Sequence, residues 1–543
     1  MTPPAQNVAE AFRAAAARQP DQTALIFLGE RYSYATVDAW SDALAGALAA
    51  KGVEPGDRVI LYAPHCPQWI AAWLAVQKAA AVAVPVTHFY GPPDLQYIAN
   101  DSGAKVAICM DTNFGHLDKV LKDTPVRQVV VTGMVDLLPA WKRGLGHLLD
   151  RVPNGKVRQG LDVLPLRQLL ADGREPPARR AELTAPCEIL YTGGTTGFPK
   201  GVPISHGMFL VSAATQRAAS LGVVPAGSDV VLQGAPLYHI LGQMVGLGAL
   251  LAGETVVLLP RNNLDAVFEH VARYRARTIL GTPTMYRMML EHDRVDQYDL
   301  RSLTYAFSGG DALPAETAAR WKKLTGHPLY QGYGATETCG GVTLSAAGGE
   351  IPEGSAGRLC GHQRILVVDG ESLAPVPPGQ PGELLVSSEH MTRGYWNKEK
   401  ETRSHFVEAG GALYYRTGDV VRFDERGWMW FQDRSVDVIK HKGYRVAASK
   451  VDNVLQEHFA VVASCTIGVP DASVGERIKS FVVCKTDVKG VHAEELIRFC
   501  KERLAPYEVP SYIEFRDMLP KSKVGKLLRR ELRSEERRKQ EGP

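Results

Sequence analysis

Between Tyr191 and Gly201 the chain reads Tyr-Thr-Gly-Gly-Thr-Thr-Gly-Phe-Pro-Lys-Gly. Gly193, Gly194 and Gly197 let the backbone approach an anion closely and offer it N–H donors. Thr192, Thr195 and Thr196 add hydroxyl donors, and Lys200 adds a point charge. Together these groups suit the gripping of a polyphosphate. The run does not read G-x-x-x-x-G-K-[ST], because Gly201 follows the lysine, so a Walker-type NTPase is disfavoured. Taken alone, the segment is also compatible with a plain Gly/Thr turn.

Four further segments follow in order. They are Gly332-Tyr-Gly-Ala-Thr336-Glu337, then Tyr415-Arg-Thr-Gly418-Asp419, then Asp433-Arg434 with Lys440-His-Lys-Gly443-Tyr, and finally Pro520-Lys-Ser-Lys-Val-Gly-Lys526. With the first loop they resemble the adenylate-forming superfamily: acyl- and aryl-CoA synthetases, firefly luciferase and peptide-synthetase adenylation domains. The resemblance covers nearly the whole chain and is closest in look to fatty acyl-CoA synthetases. It implies a two-step reaction. A carboxylate attacks the α-phosphate of ATP, giving acyl-AMP and pyrophosphate, and a thiol, usually that of CoA, then displaces AMP. Both steps need charge stabilisation more than a nucleophilic side chain, consistent with a chain that carries no Ser–His–Asp signature.

The resemblance also implies residue roles. Thr192, Gly193, Gly194, Thr195, Thr196, Gly197 and Lys200 would hold the β- and γ-phosphates. Glu337 would ligate Mg²⁺, a hard cation that prefers carboxylate oxygen, and Thr336 would donate to the α-phosphate. Tyr333, between Gly332 and Gly334, offers an aromatic face to adenine, with Gly309, Gly310 and Asp311 as the adenine rim. Asp419 and Arg434 would contact the ribose. Lys526 would bridge the substrate carboxylate and the α-phosphate. After adenylation the small C-terminal domain would rotate and present Lys440 to Gly443, with Gly443 leaving room for pantetheine. The family usually has Asp or Lys at the pivot, where this chain has Val436. Two alternatives follow: an apolar pivot that biases the domain equilibrium, or a role shared with the neighbouring Asp437.

For the acid, Ala235-Pro-Leu-Tyr-His239 and Thr282-Pro-Thr-Met285-Tyr286 resemble pocket-lining segments, which nominates His239, Met285, Gly309 and Gly334 as acyl-pocket residues. No Asp lies between Gln233 and Gly246 to pair with an amino acid's ammonium group, and an unpaired buried cation is costly. Glycines at 309, 310, 340 and 341 leave space more than polar partners, which favours an apolar chain. A medium- or long-chain fatty acid is the expectation. The alternative is an aryl, branched or short hydroxy acid. A luciferase-like oxidative enzyme shares these motifs. A non-catalytic acyl- or nucleotide-binding relative is a further alternative, but it would be expected to lack Lys526, Glu337 or Lys200.

Elements must carry these residues. Apolar strands such as Arg58–Tyr62, Val106–Met110, Val126–Val131, Thr255–Leu259 and Thr278–Leu280 alternate with helical stretches such as Thr36–Lys51, which predicts parallel α/β layers. Thr36 is a plausible N-cap and Gly52 a stop for that helix. The expected fold is a large α/β body over 1–433, with layered sheets and a small β-barrel-like part, and a mobile α+β cap over 434–543.

The 543 residues alone would suggest three or four units. Charged residues are 22% and hydrophobic ones 45%, as in a folded protein. Lys plus Arg is 62 against 59 Asp plus Glu, a formal +3, which gives no general field for nucleic acid. Eight scattered cysteines without a C-x-x-C pair favour reduced thiols and a cytoplasmic setting. The stretch Met134 to Val152 is basic and amphipathic and could touch an anionic membrane surface peripherally, or simply pack on its own domain. A homodimer is left open. ATP, Mg²⁺ and CoA are the expected cofactor and co-substrates.

Overall fold

The computed structural model describes residues 7–149, 152–160, 162–192, 198–260, 263–434, 437–442, 444–471, 473–485, 488, 490–521 and 527–541. Contacts divide the chain into two units: 1–364 with 387–415, and 365–386 with 416–543.

The first unit is built on two large sheets. One has seven strands, in the order Val163–Pro165, Gln128–Thr132, Val106–Met110, Arg58–Tyr62, Val82–Pro85, Pro186–Thr192, Lys200–Ser205. All neighbours are parallel except the last pair, an antiparallel hairpin. The other sheet has nine strands, with Tyr305–Ser308, Thr278–Gly281 and Val230–Gln233 at its parallel centre. Near one edge, Gly340–Leu344 runs antiparallel to Leu329–Ala335. The central strands are apolar on both faces, as parallel strands covered by helices must be. One apolar core joins the sheets: Val59 and Leu61 from the first, Val256 and Leu280 from the second, and Trp73, Phe209, Leu247 and Leu250 from the helices Pro67–Lys78, His206–Ser220 and Ile240–Ala252.

The helix over Tyr34–Ala50 begins earlier than the sequence suggests. Its N-cap is Ser33, whose Oγ accepts from Thr36 N at 3.2 Å; Thr36 already lies in the first turn. Gly52 follows the helix with φ +85°, as expected of a stop signal.

The second unit ends in a five-stranded sheet. Tyr444–Ala447, Val438–His441, Gly475–Cys484 and Val461–Asp471 are neighbours in that order, and Tyr512–Phe515 pairs with Gly475–Cys484. The helices Ala448–Glu457 and Ala493–Lys501 bury Val451, Leu455, Leu496 and Cys500 against it. A further sheet contains Arg364–Val368, Gly382–Ser387, Ala412–Phe423, Phe406–Ala409 and Met429–Arg434.

The eight cysteines are free and Cys484 alone is not fully buried. Among the described residues, no helix is long and apolar enough to cross a membrane.

Candidate active site

The phosphate-loop sequence sits at the tip of the hairpin Pro186–Thr192/Lys200–Ser205, where Thr192 pairs directly with Lys200. The tip itself, Gly193, Gly194, Thr195, Thr196 and Gly197, lies outside the described residues. Its stem defines where Lys200 stands. The Nζ lies 4.3 Å from the centre of the Tyr395 ring and 3.3 Å from His405 Nε2. His405 Nδ1 donates to Glu401 O at 2.9 Å, so the neutral ring presents Nε2 as an acceptor for the ammonium. Partial burial lowers the Lys200 pKa, against the opposing fields of Glu337 and Glu401.

Tyr395 also serves the acidic side of the cluster. Its hydroxyl donates to Glu337 Oε1 at 2.8 Å. Burial first, and the Glu337 charge second, push this phenol well above its ordinary range, so it stays a donor. Glu337 is buried, and its backbone O accepts from Thr392 N at 3.1 Å. Thr338 closes the turn that carries it: Oγ1 accepts from Ala335 N at 3.0 Å and reaches Gly340 O at 2.8 Å. The structure thus brings predicted Lys200 and Glu337 around one aromatic ring. Tyr395 and His405 were not anticipated; the only sequence signal was the aromatic pair Tyr395–Trp396 after Gly394.

Tyr333 precedes this turn and Thr336 opens it, both half-buried. Gly334 is needed for close approach: a Cβ there would lie 2.1 Å from Gly340 O. On the neighbouring strand end, Gly309 N donates to Gly281 O at 3.1 Å. Gly310 has φ +87°, and Asp311 is exposed. The room at Gly309 is filled, because a Cβ there would lie 2.8 Å from Leu241 Cδ2. Met285 similarly occupies the space beside two other glycines: its Cε is 3.3 Å from a Cβ position on Gly234 and its Sδ 2.9 Å from one on Gly281. His239 is the N-cap residue of the helix Ile240–Ala252, with its ring 5.0 Å from that of Tyr238.

In the second unit, Asp419 and Arg434 are direct partners across an antiparallel pair. Asp419 N donates to Thr417 Oγ1 at 3.0 Å, and Thr417 Oγ1 donates to Leu384 O at 2.8 Å. Lys440 is exposed on the strand Val438–His441, with its N–H donating to Glu476 Oε2 at 2.7 Å. Gly443, Val436 and Lys526 lie outside the described residues. Lys521 and Leu527 form an isolated antiparallel bridge. Asp437 is committed to the C-terminal helix, 2.5 Å from Arg533 and 3.5 Å from Arg529.

This is the layout of an adenylate-forming enzyme: an α/β body that ends a hairpin in a Gly/Thr loop, and a small α+β unit bearing the late lysines. The chain belongs to the AMP-binding enzyme family, which it matches over residues 12–396, with the C-terminal domain of AMP-binding enzymes over 450–526. It is 33% identical to a long-chain-fatty-acid–CoA ligase of Escherichia coli O6:H1, over 98% of this chain and 95% of that one. It is 34% identical to a feruloyl-CoA synthase of Amycolatopsis sp, over 95% and 96%. An anthranilate CoA ligase solved with anthranoyl-AMP superposes with a TM-score of 0.86 at 26% identity, covering 97% of each chain.

Proposed function

We infer that this chain is an ATP-dependent acid–CoA ligase that activates a medium- or long-chain fatty acid. The observation that carries the reading is the convergence of Lys200 and Glu337 on Tyr395 at the stem of the phosphate hairpin. A cation and a carboxylate held side by side, one for phosphate oxygens and one for a metal ion, suit polyphosphate activation and no acyl-enzyme chemistry. In the first step a carboxylate oxygen bonds to the α-phosphorus and pyrophosphate leaves. Lys200 receives charge on the departing phosphates, Thr336 donates to the α-phosphate, and Lys526 neutralises the two anions as they meet. In the second step the CoA sulfur bonds to the acyl carbon, AMP leaves and the thiol proton passes to solvent. Lys440 and Gly443 are proposed to serve this step. Asp419 and Arg434 would take the ribose.

Among the described residues no three His, Cys, Asp or Glu side chains gather as a metal cage. Mg²⁺ needs no such cage, since it binds through one or two carboxylates plus substrate phosphates. Glu337, already hydrogen-bonded on one oxygen, would hold it and so neutralise phosphate charge.

The fatty-acid assignment is supported by the relatives of that name at near full-length coverage. A second reading, an aryl acid, is favoured by the side chains of Leu241 and Met285 lying against Gly309, Gly234 and Gly281, which would shorten the pocket. Pyrophosphate release across an acid panel separates them. Fatty acids should have the highest kcat/KM, and a benzoate or cinnamate substrate exceeding all of them would overturn the first reading.

We further propose a cytoplasmic enzyme that touches membranes peripherally. The helix Ala140–Leu148 supports this: Trp141 is 66% and Leu148 82% exposed, with Leu145 and Leu149 beside them. A membrane-soluble substrate would suit such a surface. Co-sedimentation with anionic vesicles should fall in a Trp141→Asp, Leu148→Asp variant; unchanged binding would remove this part.

A further inference from the structure

Glu188 lies on the strand Pro186–Thr192, which leads into the phosphate loop, and is fully buried. Its Oε2 accepts from the Trp73 indole N–H at 3.2 Å. Its Oε1 has no hydrogen-bond partner in the structure. The second polar side chain that reaches it is Gln243, on the helix Ile240–Ala252. Gln243 Nε2 already donates to Leu237 O at 2.9 Å, and Gln243 Oε1 also lacks a partner.

Two orphaned buried acceptors are costly, and a single proton between them would satisfy both. A proton on Glu188 Oε1 would give Gln243 Oε1 a donor, while Oε2 keeps the indole. Rotating the Gln243 amide instead would give Glu188 a donor but set Gln243 Oε1 against the Leu237 carbonyl, acceptor against acceptor.

The surroundings agree. Strand neighbours opposite Glu188 are Ala83 and Ile204. The helix Pro67–Lys78 contributes Trp73, and Gln77 on the same helix binds Cys187 O. The titratable groups near Glu188 are the thiols of Cys187, on its own strand, and Cys339, in the turn after Glu337. Burial pushes both thiols well above their ordinary range, so they are neutral too. Burial likewise pushes the Glu188 carboxyl up to about 8, against the Trp73 and Gln243 side chains, which lower it, and with no cation among the groups acting on it.

We propose that Glu188 is a positioning residue kept as a neutral carboxylic acid, whose hydrogen bonds hold the phosphate-loop strand against the Ile240–Ala252 helix behind the Thr336–Cys339 turn. Three parts of the candidate site then share one internal support: the strand that feeds the phosphate loop, the helix that His239 caps, and the turn that carries Glu337. The inference rests on the ligase reading for its catalytic consequence, though not for the protonation. Ionisation would leave a buried, unpaired charge between strand and helix, and the parts would separate.

The test compares wild type with Glu188→Gln and Glu188→Ala. The amide of Glu188→Gln offers a donor to Gln243 and an acceptor to Trp73, so it should keep acid-dependent pyrophosphate–ATP exchange at the wild-type level. Glu188→Ala should lose about tenfold or more by misplacement of the loop. Because the folded pKa is raised, the stability linked to this proton is fully present below the unfolded carboxyl's range. It is lost as pH rises toward and through about 8. Wild type should therefore lose thermal stability over that interval more steeply than Glu188→Gln. The infrared carbonyl band of a protonated carboxyl should be present in wild type near neutral pH and absent from Glu188→Gln. Parallel stability–pH curves, or no such band, would overturn the protonation. Folded Glu188→Ala with full exchange activity would overturn the positioning role. If no acid supports exchange in wild type, the ligase reading fails, while the stability and infrared arms still decide the state of Glu188.

Discussion

Tyr395 does two things that no other side chain described at this site does: its ring faces Lys200 and its hydroxyl binds Glu337. Tyr395→Phe separates them, because the ring stays and the donor goes. Losing a hydrogen bond to a charged group costs about 1.5–3 kcal/mol, so adenylation should fall by roughly one to two powers of ten. Raising the Mg²⁺ concentration should recover part of that loss, which pyrophosphate-exchange rates titrated with Mg²⁺ will read. Lys200 carries a pH prediction. Since burial lowers its pKa, the ammonium is lost at lower pH than in an ordinary lysine as the solution becomes alkaline. The KM for ATP should therefore rise on the alkaline side, and Lys200→Arg, which stays charged, should flatten that rise. An identical alkaline limb in both enzymes would mean that another group causes it.

At the scale of elements, the two strand pairs that carry the site tolerate very different changes. The hairpin Leu329–Ala335/Gly340–Leu344 closes so tightly that a Cβ on Gly334 meets backbone oxygen. Gly334→Ala must open the turn holding Thr336 and Glu337, and overpacking of this kind costs about 1–3 kcal/mol. Denaturant unfolding should show that loss, with exchange activity falling further than stability alone accounts for. At Gly309 the nearest atom is the end of the Leu241 side chain, which can turn aside. Gly309→Ala should keep the fold and instead lower kcat/KM for bulky acids more than for slim ones, as read on the acid panel. The element boundaries were readable from caps and glycines to within a turn. Ser33 displaced Thr36 as the N-cap because both are good acceptors and only backbone geometry decides which one is extended.

At the scale of the whole molecule, the proposed roles divide between the two units. The late lysines lie in the second unit, and the network of Asp437 with Arg529 and Arg533, together with Arg529 on Asp452 at 2.6 Å, ties the residue next to the proposed pivot to the helix that follows Lys526. Lys526→Ala should abolish most acyl-AMP formation, by roughly two powers of ten or more. It should leave CoA transfer from supplied acyl-AMP near normal, and Lys440→Ala the reverse. Single-turnover assays of each half-reaction would show it, and equal losses in both for Lys526→Ala would remove the two-role assignment.

The chain alone nominates the Gly/Thr loop, Thr336–Glu337, Asp419, Arg434 and Lys526. Their chemistry depends on residue types at short, fixed spacings, which the covalent backbone carries by itself. The alternating apolar segments likewise dictated parallel layers, since their periodicity is a local property. Tertiary structure decided what no local pattern encodes. Tyr395 reaches Glu337 across 58 positions, and Glu188 meets Trp73 across 115. Such partners meet only when separate strands and helices close one core, and burial there fixes whether a carboxyl carries a charge or a proton.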